Sequence, residues 1–117
     1  MTPEELRART KMFAIRIVKL YQALPKTSEA QVLGKQLLRS GTSVAANYRA
    51  ACRGRSRAEW LAKIGIVVEE ADETVFWLEM LADCGVISTK RLKSLTEESE
   101  ELVAIFGATK HAARKAA

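Results

Sequence analysis

Hydrophobic side chains recur at every third or fourth position over most of the chain, the spacing that predicts amphipathic α-helices. The first stripe predicts a helix over about residues 3–24. Thr2 is placed to cap this helix and Pro3 fits its first position, while Pro25 ends the run. Its apolar positions are Leu6, Phe13, Ile17, Leu20 and Leu24.

Three further stripes predict helices over about residues 29–53, 57–84 and 89–110. A serine precedes each helix, and in the second and third helices of the chain a glutamine or glutamate three residues later completes a capping box. Gly54 and Gly85 stand where these two helices end. The apolar positions are Leu33, Leu37, Gly41, Val44, Tyr48 and Cys52, then Ile64, Val68, Ala71, Val75, Leu78 and Ala82, then Leu92, Leu95, Leu102 and Phe106.

Four helices joined by short loops, with no segment of alternating strand character, predict an all-α fold. The expected architecture is an antiparallel up-down-up-down four-helix bundle. A chain of 117 residues is long enough for one such core, so we expect residues 1–117 to form a single domain. The tail from Lys110 to Ala117 is expected to fray.

The composition excludes much chemistry. His111, Cys52 and Cys84 are the only histidine and cysteines, and they lie in different segments. A zinc site needs several such ligands and a cysteine nucleophile needs a nearby base, so we expect no metal, no cofactor and no enzymatic activity. The two cysteines are expected to be buried thiols of a reducing cytosol. A polar start, and no apolar run near the ~20 residues of a membrane span, predict a cytoplasmic protein without a membrane partner.

The net charge of +5 is unevenly distributed along the chain. Residues 1–27 and 28–55 each carry a net +4, residues 56–87 carry −5 and residues 88–117 carry +2. Two basic segments therefore precede one acidic segment. A basic surface raises the local concentration of polyanions and so favours such a partner.

Basic side chains share one side of the second helix, within an arc of about 80° and opposite the apolar stripe. We interpret this side as a surface for the phosphates of RNA or DNA. No aromatic side chains stand beside it to stack on bases, and Tyr48 belongs to the core stripe, so binding is expected to be weakly sequence-specific. An ordinary solvated helix face is the alternative. The candidate residues are Lys35, Arg39, Arg49, Arg53, Arg55 and Arg57, together with Arg16 and Lys19 on the first helix, where Arg9 shares their side.

The third helix has an acidic outward arc that contains large apolar side chains. A monomeric bundle is expected to leave Phe76, Trp77 and Met80 exposed there. Such a cluster favours a subunit interface, in which the acidic face of one copy meets the basic face of the next and closes a ring. An irregular bundle that covers these side chains internally is the alternative. The candidate interface residues are Phe76, Trp77, Met80, Glu69 and Glu73.

Short motifs extend from the second helix to the end of the third. They are a Q-L-x-R-x-x-x-S-V-x-x-N pattern, a G-R-S turn, an early aromatic on the third helix, an acidic stretch and a closing G-V-I. The residues are Gln36, Leu37, Arg39, Ser43, Val44, Asn47, Gly54, Arg55, Ser56, Trp60, Gly85, Val86 and Ile87. Up to Ile87 the chain resembles the bacterial four-helix bundles of the 23S rRNA-intervening sequence protein family, and the last helix fits only by type. Arg49 stands where that family often has an acid, which makes this surface more basic.

The resemblance implies a homopentameric ring of four-helix bundles without an established enzymatic activity. Some members of the family are encoded within insertions in ribosomal RNA genes. A related branch contains accessory proteins of diversity-generating retroelements, basic pentamers that associate with a reverse transcriptase and nucleic acid. Two hypotheses follow for this chain. One is a homo-oligomer that binds nucleic acid through the basic surface. The other is a scaffold whose oligomer binds a protein partner, with the basic residues as subunit contacts. In either case Asn47 is expected to bond a neighbouring helix.

Overall fold

The computed structural model describes residues 1–116, and these form four α-helices. The helices are α1 (Pro3–Ala23), α2 (Ser28–Cys52), α3 (Arg57–Asp83) and α4 (Thr89–Ala116). This stretch contains no β-strand, which confirms the all-α prediction. The expectation that the tail from Lys110 to Ala117 frays is wrong as far as Ala116, because α4 continues to that residue, and Ala117 lies outside the described residues. Ala113 is buried there, and its carbonyl accepts a hydrogen bond of 2.9 Å from the Arg57 guanidinium, which holds the last turns against α3.

The helix boundaries follow from capping side chains. Thr2, Thr27 and Ser56 each accept a hydrogen bond from the backbone N–H three residues ahead. The cap of α2 is therefore Thr27, one residue before the serine that the sequence pattern favours. Gly85 has φ +70°, the left-handed conformation that glycine adopts most readily, and this residue ends α3 as predicted.

The helices pack into a rod of 47 × 21 × 20 Å, with each helix against the next along the chain and a looser contact between α1 and α4. Ser40 on α2 accepts a hydrogen bond of 3.0 Å from the Thr74 hydroxyl on α3. Ser99 on α4 donates to the Ala71 carbonyl at 3.3 Å. These buried polar contacts tie α3 to both of its neighbours.

The core contains most of the predicted apolar stripe, with one shift on α3. There Val67, Thr74 and Leu81 are buried, whereas Val68 and Val75 are only partly covered. Thr74 is not part of the predicted apolar stripe, but its hydroxyl is satisfied inside the bundle by the Glu70 carbonyl at 2.7 Å and by Ser40. The largest fully buried side chains include Phe13, Ile17, Leu37, Ile64, Leu78, Leu102 and Phe106.

Both cysteines are free thiols. Cys52 is half-buried, but Cys84 is exposed at the end of α3, so the prediction of buried thiols is wrong for Cys84. Across residues 1–116, no helix combines the length and the apolar character needed to cross a membrane.

Candidate nucleic-acid interface

A groove of about 700 Å³ lies between the outer faces of α1 and α2, towards the start of α1 and the end of α2. Two cations line it from each helix, Arg7 and Lys11 from α1 and Arg49 and Arg53 from α2. The members of each pair are four residues apart, which places them about 6 Å apart along the helix. The remaining lining residues are Ala8, Thr42, Ala45, Ala46 and Cys52.

The central side chains of the groove are small, chiefly Ala8, Ala45 and Ala46, whereas the cations on both sides of it are long. No acidic residue lines the groove. Within the described part of the chain, none of the four cations lies within 4.0 Å of a carboxylate. Their charges are therefore not neutralised locally, and a concave wall of one sign concentrates the electric field inside the groove.

The predicted basic residues are distributed over several places. Arg49 and Arg53 line the groove, and Arg53 also lines a smaller cavity of about 360 Å³ between α2 and α3 together with Arg55. Lys35 is exposed elsewhere on α2. Arg57 is held at the other side of α3 by its hydrogen bond to α4.

Arg39 is engaged within the chain. Its guanidinium forms an ion pair with Glu70 at 3.0 Å and a second one with Glu73, so it joins α2 to α3. The Glu73 carboxylate also accepts a hydrogen bond of 2.9 Å from the Trp77 indole N–H. Because two carboxylates neutralise it, Arg39 is less available to a phosphate than the four groove cations.

The basic residues on the other side of α1 face α4. The Arg9 guanidinium binds Glu98 through two hydrogen bonds of 2.8 and 2.7 Å and also contacts Glu101. These hydrogen bonds hold the pKa of Glu98 below its usual range. Arg16 donates to the Ser94 hydroxyl at 2.9 Å, whereas Lys19 is exposed. Arg9 and Arg16 thus strengthen the looser contact between α1 and α4.

Tyr48 is a core residue, as its place in the apolar stripe predicts. Its ring packs against that of Phe106 with centroids 5.0 Å apart, and only 4% of the residue is exposed. Burial raises the pKa of Tyr48 to about 12, with a contribution from the Cys52 thiol and an opposing one from the positive charge of Arg7. The ring is therefore not a platform on which a base can stack.

The predicted apolar cluster on α3 is only partly exposed. Phe76 is 49% exposed and packs edge-on against Trp77, with ring centroids 4.8 Å apart. Trp77 and Met80 are half-buried by their own chain, so the prediction that a monomer leaves all three exposed is wrong for these two. Glu69 is exposed, while Glu73 is held by Arg39.

The Asn47 amide donates to the Ser43 carbonyl of its own helix at 2.9 Å, so the prediction of a bond to a neighbouring helix is wrong.

The sequence analysis did not include Arg7 and Lys11 among the candidate residues for phosphate binding. Their spacing marks a basic pair on one face of α1, but only the packing of α1 on α2 shows that this face adjoins Arg49. Residues 1–116 contain no cluster of three or more His, Cys, Asp or Glu side chains that could hold a metal ion.

Comparisons with known proteins identify relatives of the whole bundle. Residues 5–108 match the family model described as 23S rRNA-intervening sequence protein. A solved structure of a protein of unknown function from the S23 ribosomal protein family of Bacteroides thetaiotaomicron is 35% identical, with a TM-score of 0.88. That similarity covers 95% of this chain and 99% of the other. No curated protein matches the sequence. The matched region includes parts of all four helices.

Proposed function

The chain belongs to the 23S rRNA-intervening sequence protein family, and we propose that it is a non-enzymatic, homo-oligomeric bundle that associates with nucleic acid through phosphate contacts. The observation that carries this proposal is the groove between α1 and α2, with Arg7 and Lys11 on one wall and Arg49 and Arg53 on the other. A polyanion that enters this groove exchanges its condensed counterions for four protein cations, which favours binding by the entropy of ion release.

In the proposed fold the whole chain is one domain and its helices run alternately up and down. Contacts between α1 and α2 support this arrangement, because Ile17 lies against Gly41 while the later Leu24 lies against the earlier Gly34. The same reversed order supports an antiparallel arrangement of α1 and α4, because Arg9 binds Glu98 whereas the later Arg16 binds the earlier Ser94. An antiparallel order brings the start of α1 beside the end of α2, where the four cations meet.

The lining of the groove favours binding without base recognition. Ala8, Ala45 and Ala46 present no hydrogen-bonding side chain, and no aromatic side chain lines the groove. Contacts to phosphates fix the position of a nucleic acid but carry no sequence information. Lys35, exposed on α2, and Arg55, exposed just after the end of α2, are available for further phosphate contacts.

Self-association is the second part of the proposal. Phe76 is surrounded on α3 by exposed acids such as Asp72 and Glu79, whereas the outer face of α1 exposes Met12 and Ile15 beside Lys19. These two faces are complementary in charge and both offer apolar contacts. A contact between different faces of successive copies closes into a ring when the rotation permits it. The number of five subunits rests on the family resemblance alone.

The affinity of the wild-type protein for RNA is expected to fall steeply with salt. Four cations that each neutralise about one phosphate of a single strand give a slope of log K against log [salt] of about −3. Fluorescence anisotropy with a labelled RNA of about 20 nucleotides, between about 50 and 300 mM salt, measures this slope. A slope near zero, or no binding at the lowest salt, contradicts the nucleic-acid proposal.

The scaffold function is the second candidate, and the exposed apolar side chains favour it. Phe76 and Met12 are 49% and 57% exposed, and Val32 on α2 is 64% exposed. In a scaffold the groove cations would contact another subunit, so their replacement by acids would dissolve the oligomer. In the nucleic-acid proposal the same variants keep the mass of the wild-type assembly. Light scattering on the groove variants therefore distinguishes the two functions.

A further inference from the structure

We propose that the groove between α1 and α2 receives one single strand of RNA or DNA and excludes a duplex. This inference rests on the proposed function, because it specifies the ligand of the same site. Three features carry it: the position of the cations on two facing walls, the size of the groove, and the continuation of the cations beyond its end.

The two walls favour a ligand that lies between them. Arg7 and Lys11 project from α1 and Arg49 and Arg53 from α2, and the axes of packed helices are only about 8–10 Å apart. A duplex is a convex cylinder that is wider than its own major groove of about 12 Å. It is therefore too wide to enter between the two walls and would rest on their outer edges. A single strand fits between the walls, where successive phosphates are reached from both sides.

The groove is large enough for the sugar–phosphate backbone of a few nucleotides. Its volume of about 700 Å³ lies within the range of about 300–1,000 Å³ that is typical of pockets for small ligands. The small side chains of Ala45 and Ala46 allow a sugar–phosphate backbone to approach α2 closely. The Thr42 hydroxyl already donates to the Leu38 carbonyl at 2.7 Å, so its proton is not available to a base. The phosphates therefore face the protein and the bases face outward.

The cations continue past the end of α2, which gives a longer strand a path. Arg53 lines both the groove and the smaller cavity between α2 and α3, where Arg55 and Lys63 also lie. One acid, Glu59, lines that cavity, and its carboxylate already accepts a hydrogen bond of 2.6 Å from the Arg55 backbone N–H. A strand that leaves the groove at Arg53 thus meets two further cations.

The test compares a single-stranded RNA of about 20 nucleotides with a duplex RNA of the same length and sequence, at about 50 mM salt. The single strand is expected to bind at least about tenfold more tightly. The double variant Arg7→Glu/Lys11→Glu, which changes only the α1 wall, is expected to lower single-strand affinity at least about 30-fold and to remove this preference. The matched control Lys90→Glu/Arg91→Glu reverses two exposed cations at the start of α4, at the opposite end of the bundle, and is expected to change neither affinity more than about threefold.

The outcomes separate this inference from the proposed function. If single strand and duplex bind equally well and both lose affinity in the α1 variant, the inference is wrong while the nucleic-acid function stands. If neither ligand binds the wild-type protein, both are wrong. If the α1 variant binds the single strand as tightly as the wild type, the strand lies elsewhere and the inference is again wrong. Circular dichroism of each variant verifies that the helices remain folded.

Discussion

The variant Phe76→Asp is expected to dissociate the oligomer into folded monomers. Phe76 is 49% exposed in the single chain, so its replacement removes little from the core of one bundle. In an interface, a large aromatic side chain of this kind contributes about 2 kcal/mol or more, and a buried aspartate without a partner adds a further penalty. In a closed ring the loss recurs at every subunit contact. Size-exclusion chromatography with light scattering measures the change in mass.

A matched control for this variant is Val32→Asp. Val32 is more exposed than Phe76, at 64%, but it lies on the outer face of α2 rather than on the acidic face of α3. We expect this control to keep the mass of the wild-type assembly. If Phe76→Asp keeps that mass too, or if the wild-type protein is itself a monomer, the proposed contact between α3 of one copy and α1 of the next is wrong.

The variant Gly41→Leu is expected to lower the free energy of unfolding by about 3 kcal/mol or more. A Cβ atom at position 41 would lie 2.7 and 2.9 Å from the two γ-carbons of Ile17 and 3.2 Å from its Cβ. These atoms are next to the backbone of a fully buried, β-branched side chain, which cannot rotate away. The substitution therefore forces α1 and α2 apart, and it also widens the groove between them.

Gly107 provides the comparison for this effect. It also lies inside a helix, but apart from its chain neighbours and the nearby backbone of α4 itself, no atom would come within 4 Å of a Cβ at this position. Gly107→Ala is therefore expected to stabilise the protein by about 0.5–1 kcal/mol through the higher helix propensity of alanine. Urea unfolding followed by circular dichroism gives both values. Equal stability of Gly41→Leu and the wild type would show that α1 and α2 do not need the close approach.

The four helices can be predicted from the sequence because their apolar stripes and capping residues agree. Phe13, Ile17 and Leu102 sit at helical spacing and are fully buried, and Gly85 ends α3 where the pattern places it. The shift on α3 could not be predicted in this way. Thr74 is polar, and its buried position is favourable because its hydroxyl is hydrogen-bonded to the Glu70 carbonyl of its own helix and to Ser40 on α2.

The candidate site was predictable only in part, because it depends on contacts between helices. The arc of basic residues on α2 correctly groups Arg49 and Arg53, which line one groove. The same arc includes Arg39, whose partners Glu70 and Glu73 are more than 30 residues away in sequence. Arg7 is close to the groove only because α1 packs against α2 at Gly41. Periodicity gives the face of a single helix, but it does not show which neighbour that face meets.

The affinity of the variant Arg49→Glu/Arg53→Glu for a single-stranded RNA tests the central claim most directly. The claim is that the groove between α1 and α2 binds nucleic-acid phosphates. Compared with the wild type at about 50 mM salt, this variant is expected to bind at least about 100-fold more weakly, a difference of about 2.8 kcal/mol, while it retains its helicity and the mass of its assembly. The control Lys90→Glu/Arg91→Glu makes the same change in net charge and is expected to stay within about threefold of the wild type. Wild-type affinity in the groove variant, or an equal loss in the control, would contradict the account.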